Sequence, residues 1–116
     1  MKSLAMITEK DIDTIKMALN DSLSDMNSEL KGKISDKQRN DLMEFKAKYT
    51  RVMDKLKQSP SIYSLNEGEL DITAGGLNDA IQLLEENLTD DLDAQEREDI
   101  LNYKNDCIRL VEILAS

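Results

Sequence analysis

The chain has 116 residues, 34% of them charged, a net charge of −9 at pH 7 and no histidine. That length suits a single domain, and 40% apolar residues argue against disorder despite the charge. The anionic balance argues against phosphate binding and direct nucleic-acid contact, and the lack of histidine removes the commonest general base and transition-metal ligand.

Residues 1–7 hold too short an apolar run for a signal peptide, and no later segment approaches the roughly 20 apolar residues of a membrane span. Cys107 is the only cysteine, so no intramolecular disulfide forms. A soluble, cytoplasmic protein without membrane association is expected.

The first helix is expected over about 9–31. Thr8 and Asp11 have capping-box spacing, Ile7 and Ile12 have hydrophobic-staple spacing, and Ile12, Ile15, Leu19, Leu23, Met26 and Leu30 form one apolar stripe. Gly32 is expected to end it in the left-handed conformation, between Lys31 and Lys33. Ser35 and Gln38 open a second helix over 36–58, whose stripe is Leu42, Phe45, Tyr49, Val52, Met53 and Leu56.

Segment 59–66, with Pro60, links to a third helix over 67–88, opened by Asn66 and Glu69 and striped by Leu70, Ala74, Leu77, Ile81, Leu84 and Leu88. Gly75-Gly76 costs about 1 kcal/mol per glycine inside a helix, so it implies a packing or functional reason, or a helix that starts only near Gly76. Ala18 and Ser22, and likewise Gly76 and Ala80, are small residues four apart beside the main stripes, a spacing that permits close backbone approach. Thr89-Asp90-Asp91-Leu92-Asp93 lacks the central glycine and terminal glutamate of a calcium loop and fits helix-start acids instead. Asp93 and Glu96 open the fourth helix, over 94–115, with Ile100, Tyr103, Cys107, Leu110, Val111 and Leu114 on its stripe. Cys107 there is a buried structural residue rather than a nucleophile.

Shifting the sequence by 58 residues aligns 1–58 with 59–116 without a gap and gives twelve identities, including Leu19-Asn20-Asp21 on Leu77-Asn78-Asp79. A repeated unit of this kind buries its apolar face against its neighbour. The expected fold is therefore all-α: an antiparallel four-helix bundle of two tandem helical hairpins with pseudo-two-fold symmetry, in one domain over 1–116. A two-repeat solenoid is the alternative.

Function is sought where the copies diverge. Residues 1–58 carry a net +2 and residues 59–116 a net −11. Thr14, Asp25, Thr50 and Lys55 become Ile72, Leu83, Ile108 and Ile113. The extra apolar surface is either buried in an asymmetric bundle or presented to a partner. Presented, it makes Ile72, Gly76, Ala80, Leu83, Glu85, Glu86, Ile108 and Ile113 a binding face for a protein with a basic rim, or for a second copy of this chain. No catalytic, metal or cofactor residues are assigned. The expected function is a non-enzymatic interaction module that regulates or inhibits a protein partner by occlusion. One alternative is an acidic nucleic-acid mimic using Glu85, Glu86, Asp90, Asp91 and Asp93. Another is a binder of a small anionic or nucleotide-like ligand through Lys46, Arg51 or Arg109.

Overall fold

The computed structural model describes residues 4–115 and contains four α-helices: α1 Glu9–Leu30, α2 Asp36–Gln58, α3 Glu67–Glu86 and α4 Ala94–Ala115. Short 3-10 turns at Leu4–Met6 and Ile62–Ser64 precede α1 and α3, and the described residues include no strand.

Side chains that satisfy the free backbone donors set where the helices begin. The Asp11 N–H donates to the Thr8 hydroxyl at 3.1 Å, and the Thr8 N–H donates to the Asp11 carboxylate at 3.0 Å. Ser35 with Gln38 and Asn66 with Glu69 close the same reciprocal box. At α4 the Glu96 N–H donates to Asp93 Oδ1 at 2.7 Å. Each such cap contributes about 1 kcal/mol.

The helix ends follow different chemistry from that expected at Gly32. No described residue has a positive φ, and Lys31, not a left-handed glycine, closes α1 in right-handed geometry. The last turn tightens instead, with Lys31 N–H on Ser28 O at 3.2 Å and Gly32 N–H on Glu29 O at 3.0 Å. Arg39 of α2 then donates to the free Leu30 carbonyl at 2.9 Å. Its counterpart 58 residues on, Arg97, donates to Thr89 O at 2.7 Å. α3 stops at Glu86, where the Asn87 side chain turns back onto Leu83 O at 2.8 Å. It begins at Glu67 and runs unbroken through Gly75-Gly76.

The apolar stripes meet in one core. Ile15, Leu19, Val52, Leu56, Leu77 and Leu110 are fully buried there. α1 and α3 each pack on all three other helices, and the α3–α4 interface is the most extensive, well ahead of α1–α2. Ala18, Ser22, Gly76 and Ala80 are all buried. A Cβ added at Gly76 would lie 2.4 Å from Leu19 Cδ2, and Ser22 Oγ donates to Gly76 O at 3.0 Å. The small residues therefore bring α1 and α3 into close contact, which accounts for a glycine in mid-helix.

The molecule is flattened, at 41 × 40 × 24 Å with a radius of gyration of 14.8 Å. A compact chain of this length has a radius near 13 Å, and a 22-residue helix spans about 33 Å. Two long dimensions mean that the helices fan out and leave clefts between them.

Polar contacts tie the two sequence halves together at positions that repeat. Tyr49 of α2 donates to Asp79 of α3 at 2.8 Å, and Tyr103 of α4 donates to Asp21 of α1 at 3.0 Å. Lys55 of α2 reaches the capping-box Glu69 of α3 at 2.7 Å, and Arg109 of α4 reaches the capping-box Asp11 of α1 at 2.6 Å. Asp21 and Asp79 are 58 residues apart, as are Asp11 and Glu69. Burial opposes ionisation of Asp11, but Arg109 and the Thr8 donors outweigh it and hold the carboxyl below its usual range. For Glu69 the Asn66 N–H and the Lys55 ammonium act in the same direction.

Candidate functional site

Two clefts flank the α1–α3 contact. The larger, about 650 Å3, lies between α1, α2 and α3. α1 lines it with Ser22, Asp25, Met26 and Glu29, and α2 with Leu42, Phe45 and Tyr49. α3 contributes Gly75, Asn78, Asp79, Gln82, Leu83 and Glu86. The smaller, about 360 Å3, is lined by Asp21, Ser24, Asp25 and Ser28 of α1, by Ala80, Leu83 and Leu84 of α3, and by Asn87.

Each residue of the smaller cleft is the 58-residue counterpart of one in the larger. The clefts are thus the same site in the two copies, and they have diverged in two respects. One is shape. The α4 counterparts of Leu42, Phe45 and Tyr49, namely Ile100, Tyr103 and Cys107, do not line the smaller cleft, because α4 is packed more extensively on α3 than α2 is on α1. The other is charge. Glu29 and Glu86 of the larger cleft are replaced in the smaller by Asn87 and Ser28. The larger cleft holds the carboxylates of Asp25, Glu29, Asp79 and Glu86, with no cation among its lining residues.

Burial, followed by the nearby carboxylates of Asp25 and Asp79, pushes the Glu29 carboxyl above its ordinary value. Like charges close together without a counter-ion constitute a field that a cation relieves. Between the carboxylates lie Met26, Leu42, Phe45 and Leu83. Phe45, expected on the core stripe of α2, is 50% exposed at this site because α2 stands away from its neighbours. Burial and Asp79 raise the Tyr49 hydroxyl beyond its usual value, so it stays protonated as the donor to that carboxylate.

Comparison with protein-family models, curated proteins and solved structures finds no match for this chain. The chemistry is therefore argued from the cleft itself.

Of the residues expected on a binding face, Leu83 and Glu86 reach the larger cleft. Gly76 and Ala80 do not present themselves, since α1 covers them, and Ile113 is buried at 7% exposure. Ile72 packs half-buried against the core, and Ile108 is half-buried on α4. Glu85 is outside the cleft and pairs with Lys104 at 3.3 Å. Asp25, Glu29, Phe45 and Asp79 were not singled out as a site from sequence. The replacement of Glu29 and Glu86 by Asn87 and Ser28 between copies was the signal that pointed to them.

Other chemistry is sparse. Burial pushes the Cys107 thiol up to about 12, which leaves it an unreactive core residue. Among the described residues no cluster of three or more potential ligands could hold a metal ion, and no helix is long and apolar enough to cross a membrane. Lys46 and Arg51 border a groove of about 570 Å3 whose lining residues all belong to α2. Arg109 is already tied to Asp11.

Proposed function

We propose that the chain is a non-enzymatic protein-interaction module whose larger cleft seats an apolar segment of a partner with a basic rim. The scaffold in this proposal is two antiparallel hairpins related by approximate two-fold symmetry. The reciprocal Tyr–Asp and cation–capping-acid ties between the halves support it.

The observation that carries the functional reading is the contrast between equivalent clefts. One copy has lost its acids and closed, while the other holds four uncompensated carboxylates around exposed apolar side chains. Stability alone gives no reason to gather like charges about Phe45, because doing so costs free energy that a bound cation returns. Occupancy of the cleft would regulate or inhibit the partner by covering its segment. The same field repels a small anionic ligand from this site.

The test is capture of partners from the native host with wild type and with Leu83→Asp, the residue its counterpart Asp25 already carries. Leu83 borders the cleft and is half-buried, so the variant should keep its fold by circular dichroism yet lose the partner. Full retention of every captured protein by a folded Leu83→Asp variant would refute the proposal.

A further inference from the structure

We propose that the occupant of the larger cleft is an α-helix of a partner protein, with an apolar stripe along its length and Lys or Arg on both flanks. This rests on the cleft being the chain's protein-binding seat, and it adds the conformation and charge pattern of what sits there.

The first support is the form of the walls. On α3 the lining positions step 75, 78/79, 82/83 and 86; on α1 they step 22, 25/26 and 29; on α2 they step 42, 45 and 49. All three walls are helix ridges with three- and four-residue spacing, the surface into which the ridges of another helix fit. From Gly75 to Glu86 the α3 wall runs roughly 17 Å, or three turns of a docked helix. An extended strand would need a row of free backbone donors and acceptors, which helical walls do not offer.

The second support is where the charges stand. Asp25 and Glu29 come from α1, Asp79 and Glu86 from α3, and the apolar Met26, Leu42 and Phe45 from α1 and α2. Acids on two different walls call for cations on both flanks of the occupant rather than on one. The half-exposed Phe45 ring supplies the aromatic anchor typical of such grooves. In the second copy α4 has drawn in against α3, which leaves no equivalent trough.

The probe is a dye-labelled 15-residue peptide with leucines at positions 1, 4, 8, 11 and 15 of its own sequence, lysines on both sides of that stripe and glutamines opposite. A second peptide of identical composition has the leucines scattered so that no stripe forms on a helix. Anisotropy titrations at low salt should show the striped peptide binding at least about tenfold more tightly than the scattered one. Its helical circular dichroism should rise on binding, and Phe45→Ala should weaken it by about tenfold. Equal affinity for the two peptides would overturn the proposal in favour of a plain polyanion surface, as expected of a nucleic-acid mimic. Binding without a gain of helix, or no binding of the striped peptide, would overturn it too. If the peptide fails while Leu83→Asp still loses its captured partner, the cleft remains the seat and only the helical occupant is wrong; if neither result appears, both readings fall.

Discussion

Adjacent glycines in α3 should respond to alanine with opposite signs. At Gly76 the new methyl would sit 2.4 Å from Leu19 Cδ2 and 3.8 Å from Tyr49 Cε2. Carbon atoms pack at about 3.5–4.0 Å, so Leu19 must retreat by more than about 1 Å. Leu19 is fully buried and has no free space to rotate into without disturbing the core. Overpacking of that kind costs about 1–3 kcal/mol. Parting α1 from α3 would also stretch the Ser22–Gly76 hydrogen bond, worth about 0.5–1.5 kcal/mol. The helix-propensity gain of about 1 kcal/mol offsets only part of this, leaving Gly76→Ala destabilised by about 1–3 kcal/mol. At Gly75 the nearest group is the Tyr49 hydroxyl at 3.5 Å, an ordinary contact, so Gly75→Ala should gain about 0.5–1 kcal/mol. Urea unfolding at constant m-value measures both, and a thermal scan should separate the two variants by roughly 4 °C per kcal/mol. A Gly76→Ala protein as stable as Gly75→Ala would refute the close α1–α3 contact.

Arg109→Met should cost about 1–2 kcal/mol in urea unfolding, the lower part of the range for a charged hydrogen bond because the guanidinium is partly in water. Lys55→Met should cost less, since Glu69 keeps the Asn66 N–H as a partner. Asp11 and Glu69 titrate below their ordinary values of 3.8 and 4.5, so their ties contribute stability above those values and lose it as pH falls through the lowered ones. Acid unfolding of wild type should therefore steepen below about pH 5, and Asp11→Asn with Glu69→Gln should flatten that slope. With its thiol raised to about 12 by burial, Cys107 should resist a thiol reagent at pH 8 in the folded protein and react fully in urea.

The positions of the helix starts were legible from sequence because each depends on a local pair: Thr8 with Asp11, Ser35 with Gln38, Asn66 with Glu69, Asp93 with Glu96. The ends were less so. Gly32 carries the expected stop signal, yet a tightened turn and Arg39 from the next helix do the capping. Gly76 and Ala80 stood out as small residues, but only three-dimensional packing shows that α1 is what they admit. Arg109 reads as a solvent-facing partner for a near neighbour, whereas it binds an aspartate 98 residues away. Phe45 follows the periodicity of a core stripe, and its exposure depends on how far α2 stands off, which no local pattern encodes. For the same reason Leu83 and Glu86 could be marked from the divergence of the copies, while Asp25, Glu29 and Asp79 gain meaning only when three helices bring them to one cleft.

The central claim is that one of two equivalent clefts has been kept for binding. Glu29→Asn with Glu86→Ser gives the larger cleft its counterpart's residues, and Ser28→Lys with Asn87→Lys alters the smaller cleft by the same net charge. Measured against the captured partner at low salt, the first pair should weaken binding by about tenfold and the second by less than about twofold. Equal losses from both pairs would mean that overall charge, and not the open cleft, holds the partner.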